Sequence, residues 1–189
     1  MLDSTRPSSK FNSEDYAVPD RHEAWNSVVA RFGFLSQANH ENFSCFAAAQ
    51  ASQLGINFFR INSSAQHPKR VSPPREEALL LVLLADGTLS CESGSKTFAL
   101  ASGDVVVAPA SADLNLRSGS TIRALFVSIP KAALNTRIFQ NKLAAARLLK
   151  SDHGSARVLS SLLGGVLDAL DGLQEADSGP LIKCSSSFF

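Results

Sequence analysis

The chain has 189 residues, with 18 lysines and arginines against 17 aspartates and glutamates, a net charge of +1. That length is enough for one domain with a sizeable core, and the balanced charge lacks the basic excess of a nucleic-acid-binding domain. No apolar run approaches the roughly eighteen residues of a membrane-spanning helix and Met1 to Lys10 is polar, so neither a span nor a secretory signal is expected and the chain reads as cytoplasmic.

Residues 1–16 are rich in Ser, Asn, Asp and Lys, with Phe11 and Tyr16 as the sizeable anchors, and read as a flexible arm able to fold down locally. Pro19 and Asp20 open a helix: Asp20 is placed to cap it, Glu23 follows three residues on, Trp25, Val28, Val29 and Phe32 recur at helical spacing, and Gly33 is placed to end it. Trp25 is expected in the core. Between Phe34 and Gln53, Phe43, Phe46 and several alanines fit strand or helix equally well. Leu54 to Asn62 alternates, with Ile56, Phe58 and Arg60 on one face and Asn57, Phe59 and Ile61 on the other, which predicts a strand. Pro68, Pro73, Pro74 and the surrounding charges make His67 to Glu77 a loop or an edge strand.

Leu79 to Pro109 carries the strongest strand signal. Four short strand-forming runs are punctuated by Asp86-Gly87, Ser93-Gly94 and Ser102-Gly103, dipeptides that supply the positive φ of tight turns, and the pattern predicts an antiparallel meander. Leu79 to Ala85 and Val105 to Ala108 are apolar at every position and therefore need cover on both faces, from a closed barrel or a double sheet. A buried helix is the alternative for the first run, and its seven residues followed at once by Asp-Gly favour a strand. Leu114 to Arg117 alternates, Ser118-Gly119 turns, and Thr121 to Ile129 forms a long strand that Pro130 ends.

After Pro130 the period changes. Phe139, Leu143, Ala146 and Leu149 form one helical stripe, Asp152 to Ser155 interrupts, and Leu159, Leu162, Val166, Leu170 and Leu173 form a second, which together predict a helical hairpin over 131–174. Gly164-Gly165 inside the second helix costs about 1 kcal/mol per glycine relative to alanine, which implies either a close-packed helix partner or a kink. Residues 175–189 read as a linker or tail. The fold class that follows is mainly β with α: an antiparallel barrel or double sheet with a leading helix over 17–130, followed by the hairpin.

Chemistry is sparse. His22, His40, His67 and His153 are scattered and none lies on the central strands, so no metal site is expected. Cys45, Cys91 and Cys184 are odd in number and far apart, which suits reduced, buried thiols. There is no Gly-x-Ser-x-Gly elbow, no phosphate-binding glycine loop and no pair of carboxylates in an apolar setting; Ser93-Gly94-Ser95 and Ser118-Gly119-Ser120 sit where turns are needed. No catalytic residue, no cofactor and no enzymatic activity are expected. The candidates for orienting a small ligand in a barrel are the polar residues interleaved on the strands, Arg60, Ser90, Glu92, Thr97, Asn115 and Arg123, with an anion suited to the arginines. The candidates for a homodimer interface are Leu159, Leu162, Val166 and Leu170.

The ordered set formed by Pro19 to Trp25, Phe59 to Ser64, His67 to Val71, Leu100 to Pro109, Phe126 to Pro130 and the helical stripes resembles the N-terminal effector-binding and dimerisation domain of AraC/XylS-type transcription regulators, a cupin-like fold. The resemblance spans Tyr16 to Leu173. It implies a small-molecule effector in the barrel, a sugar or, in the XylS-like branch this sequence more resembles, an aromatic acid, amine or aldehyde. It also implies self-association through the helices, and DNA contact only through a helix-turn-helix module that is not in this chain. The alternatives are a metal-dependent cupin enzyme and an assembly module without a ligand.

Overall fold

The computed structural model describes residues 9–30, 33–37, 43–70, 77–134 and 145–176. Among them the strands are β1 (Ser9–Asn12), β2 (Phe34–Gln37), β3 (Cys45–Ala51), β4 (Asn57–Ser63), β5 (His67–Arg70), β6 (Ala78–Asp86), β7 (Leu89–Ser93), β8 (Lys96–Leu100), β9 (Val105–Pro109), β10 (Asn115–Arg117), β11 (Ile122–Pro130) and β12 (Arg147–Leu149); the helices are α1 (Arg21–Val29) and α2 (Gly154–Ala176). Two antiparallel sheets face each other, seven-stranded in the order β1-β3-β4-β11-β6-β9-β12 and five-stranded in the order β2-β5-β10-β7-β8. This is the double sheet; the sheets do not close into a barrel.

The four runs between Leu79 and Pro109 are strands, but they do not form a meander. β6 pairs with β9, Leu79 opposite Pro109 through Leu83 opposite Val105, while β7 pairs with β8 in the other sheet. The turn after Asp86 thus carries the chain across from one sheet to the other, and the turn before Asp104 carries it back. A two-residue turn looks the same in sequence whether the strands on either side of it pair or part.

The all-apolar character of β6 and β9 now has its cause. On the inner side Leu80, Val82, Leu84, Val106 and Ala108 join Leu89, Cys91, Leu100, Leu114 and Leu116 between the sheets. On the outer side Leu81, Leu83, Val105, Leu125 and Val127 pack beneath Leu163 and Leu167 of α2. The molecule therefore has three layers, small sheet, large sheet and helix, and the large sheet is buried on both faces at its centre. Each such leucine or valine contributes roughly 1.5–3 kcal/mol by leaving water.

Several local expectations are corrected. Asp20 adopts helical backbone angles, so its side chain makes no capping bond to α1. Within the arm, local folding of the kind the sequence allowed is seen at Ser9–Asn12, where β1 pairs with β3 and the Phe11 ring lies tilted against Trp25 with centroids 5.4 Å apart. β5 is not at an edge but between β2 and β10; Pro68 is tolerated there because β10 meets it only at Asn115 opposite Lys69. The second helix forms as expected, whereas Arg147 to Leu149 is not the end of a first helix but an edge strand against β9. Leu148 turns to the inner core and Leu149 to the outer one, and β9 gains the hydrogen-bonding partner its edge needs. Phe139 and Leu143 lie outside the described residues, as does Cys184.

Candidate functional site

The six polar strand residues do not converge. Alternation on β7 sends Leu89 and Cys91 into the core and Ser90 and Glu92 outward; Asn115 lies opposite Glu92 and donates from Nδ2 to its Oε2 at 2.9 Å, and Thr97 pairs with Glu92 on the other side. These four share the outer face of the small sheet. Arg60 and Arg123 belong to the outer face of the large sheet, because Phe59, Ile61, Ile122 and Ala124 take the inner positions beside them. None of the six belongs to the core between the sheets, where the described residues form a largely apolar cluster.

Arg60 and Arg123 are brought together, and against them stand two carboxylates of α2. Asp171 forms ion pairs with both arginines, one through each carboxylate oxygen, and Asp168 Oδ1 accepts from Arg123 at 2.9 Å. The Arg60 guanidinium also lies 4.9 Å over the ring of Phe46, a cation–π contact. Arg60 is only 8% exposed. Burial, with the Arg123 charge as a second cause, pulls its pKa down from the ordinary arginine value. Two cations side by side under a helix require anions, and the helix supplies them. Asp168 and Asp171 are one helical turn apart but were not singled out in the sequence, and nothing in the sequence says which strands they cover.

The other end of α2 is tied to the turn before β9. The Asp104 carboxylate is 2% exposed, accepts from Ala101 N at 3.0 Å, Ser151 N at 3.1 Å and Lys150 Nζ at 2.7 Å, and Ser160 Oγ donates to Gly103 O at 2.7 Å. Burial works to raise the Asp104 pKa, but the Lys150 ammonium and the two amides outweigh it and hold it below the usual carboxylate range. A shallow groove of about 430 Å³ opens nearby beside Lys150, His153 and Ser155. Lys150, on its rim, is paired with Asp104.

A third polar cluster was missed in the sequence. Gln66, 2% exposed, accepts at Oε1 from Trp25 Nε1 at 2.9 Å and from Ser36 Oγ at 2.8 Å, and donates from Nε2 to Ser63 Oγ at 2.8 Å. Its main chain exchanges hydrogen bonds with Ser118, so Ser118 does more than start a turn. This knot binds α1, β2, β4 and the loop before β11 with all of the glutamine's polar atoms in use. Cys45 and Cys91 are buried and unpaired by disulfides; burial raises both thiols, Cys91 to about 11 with help from the Glu92 charge, and neither is a thiolate at neutral pH. Among the described residues no three His, Cys, Asp or Glu side chains group as metal ligands, and no helix is long and apolar enough to cross a membrane.

The four interface candidates also divide. Leu159, Val166 and Leu170 pack on the chain's own sheet, and Leu162 points outward, 64% exposed, next to Val158 at 61%. A Cβ placed on Gly164 or Gly165 meets nothing within 4 Å among the described residues, so none of their backbone approaches these glycines from outside the helix.

A family model described as an AraC-binding-like domain matches residues 28–186. Among solved structures, an AraC-like transcriptional activator, CuxR, superposes with a TM-score of 0.71 at 12% identity, over 87% of this chain and 62% of that one; this chain thus spans less than two thirds of the activator's length. A cupin superfamily protein from Desulfitobacterium hafniense matches more weakly, with a TM-score of 0.40 at 15% identity over 46% of this chain and 78% of that one. No curated protein matches the sequence.

Proposed function

The chain belongs to the AraC-binding-like domain family, and from that premise we propose that it is the ligand-sensing and dimerisation domain of an AraC/XylS-type transcription regulator. A small-molecule effector, an aromatic acid, amine, aldehyde or sugar, is sensed by the double sheet. DNA is contacted through a helix-turn-helix module outside this chain, in keeping with the net charge of +1. The observation that carries this is the placement of α2: it rests on the outer face of the same strands, β6, β9 and β11, whose inner face borders the space between the sheets. Any ligand that shifts those strands shifts the helix, and a helix presenting Val158 and Leu162 to solvent is suited to meet a second copy. Effector binding then acts by shifting populations between helix placements, and hence between dimer geometries.

The experiment is calorimetric titration of the purified chain with aromatic acids, amines, aldehydes and sugars, paired with sedimentation velocity. Saturable heat with one class and a two-chain species support the whole proposal. One observation favours a narrower second reading, an assembly module without an effector: none of the six polar strand residues belongs to the apolar cluster between the sheets. Dimerisation with no heat from any class selects it.

A further inference from the structure

Among the described residues the small sheet ends at β2, whose sequence Phe34-Leu35-Ser36-Gln37 carries no charge. An uncharged edge strand with open main-chain groups is a template for pairing with another chain, and natural sheets block such edges with lysine, proline, a bulge or a covering element. At the opposite end of the sheet β8 starts with Lys96, and Lys150 Nζ donates to Ala99 O at 3.2 Å. What closes β2 is one side chain of α1. Asn26 Oδ1 accepts from Ser36 N at 2.7 Å and Asn26 Nδ2 donates to Ser36 O at 3.2 Å. These are the two bonds that a neighbouring antiparallel strand would make to that residue. Ser36 turns both groups off the sheet because its partner in register is Pro68, which has no N–H to offer its carbonyl. The residue before Asn26 holds the helix at this distance: Trp25 Nε1 donates to Gln66 Oε1, the same oxygen that accepts from Ser36 Oγ.

We propose that Asn26 serves as a stand-in strand, and that the β2 edge it closes is a latent self-pairing surface whose partner is β2 of a second copy. An antiparallel pair of identical strands can be centred on Ser36, so that each copy's Ser36 supplies the N–H and C=O that Asn26 supplies now. In that register Leu35, 45% exposed, lies opposite the exposed Gln37 of the second copy and gains cover. No charge on β2 opposes the approach. This edge is separated from α2 by the large sheet, so it is a surface distinct from the helix. A chain that paired through both would build assemblies larger than a dimer, and closing β2 with Asn26 confines self-association to one surface.

The test is sedimentation velocity of the full chain over a wide concentration range, with the wild type beside N26A and the double variant N26A/L35K. N26A is expected to form species larger than those of the wild type as concentration rises. Leu35→Lys places on the edge the charge that β2 lacks and is expected to return the protein to its wild-type size. An N26A protein that keeps the wild-type size at every concentration overturns the proposal. So do larger species that the lysine leaves intact, since these come from another surface or from loss of the fold. A measurement on the wild type stands whether or not N26A folds: hydrogen exchange at the Ser36 amide, read by NMR. The bond to Asn26 is expected to slow that exchange by at least about tenfold relative to an unstructured chain, and an unprotected Ser36 amide overturns the stand-in role.

Discussion

Lys150 Nζ lies 2.7 Å from Asp104 Oδ2 across the seam where β9, β12 and the start of α2 meet. Asp104 is buried and Lys150 half-exposed. The carboxylate fixes Ser151 N and Ala101 N as well, so one side chain sets the angle at which the chain leaves the double sheet for the helix.

Asp104→Asn is expected to destabilise the chain by about 2–4 kcal/mol in urea unfolding, because it breaks a buried charged pair while leaving one amide acceptor. It also changes the acid limb. The folded-state pKa of Asp104 is depressed, so the stability it contributes is complete above the unfolded carboxylate value and is lost as pH falls through the lower folded value. Below about pH 4 the wild type should therefore lose stability more steeply than the variant; parallel slopes in acid titrations monitored by circular dichroism would refute this account of Asp104.

The turn glycines should rank. Gly87, Gly94 and Gly103 all have positive φ, at 92°, 58° and 89°. A Cβ at Gly87 would lie 2.4 Å from the Thr121 carbonyl oxygen, one at Gly103 would lie 3.0 Å from Ser151 Cβ, and one at Gly94 meets nothing. Substitution by alanine is expected to cost most at 87, an intermediate amount at 103 and about 1 kcal/mol at 94, where only the backbone conformation is strained. Thermal midpoints of the three variants test the order. An 87 variant as stable as the 94 variant would show that the crossing between the sheets is looser than the contact distances imply.

Gln66→Ala leaves the Trp25 indole N–H without its acceptor in a buried site and is expected to cost about 2–3 kcal/mol. Trp25 is the chain's single tryptophan and is 1% exposed, so its emission reports the change directly. A red shift under native conditions is expected, and an unshifted spectrum with unchanged stability would mean the knot is not what holds α1.

How much of this was legible follows from what each signal encodes. Turn dipeptides and unbroken apolar runs in Leu79 to Pro109 encode local strand and turn geometry, and those strands are where they were expected. They do not encode which strand pairs with which, so a meander and a crossing between sheets look alike. The alternation in Leu54 to Asn62 puts Arg60 on the face opposite Phe59 and Ile61, as observed, but it does not say which face is the interior, and Arg60 was read as facing a ligand space. The outer face is covered by α2, so Arg60 is buried there among charges. Helical spacing found the second stripe of α2; with a sheet available to cover it, Leu159, Val166 and Leu170 turned inward, and only Leu162 kept its exposed place. Gln66 had no sequence signal, because a lone glutamine between strands looks the same whether it meets water or three buried partners.

The outward face of α2 separates the two explanations for Gly164-Gly165. Alanine at either position fits without a clash in the single chain, and removing each glycine should raise helix stability by about 1 kcal/mol. If a second copy brings its backbone against this face, the added methyl at the exposed Gly165 must weaken the dimer even as it strengthens the helix. G165A is therefore expected to raise the thermal midpoint at low concentration and to shift sedimentation toward the monomer at high concentration. Val158→Asp with Leu162→Asp should give monomers outright, since these side chains are large apolar groups that the helix exposes among the described residues. Stabilisation by G165A with the dimer unchanged, or dimers that persist in the double aspartate variant, would place self-association on another surface and leave the glycines as a bend in the helix.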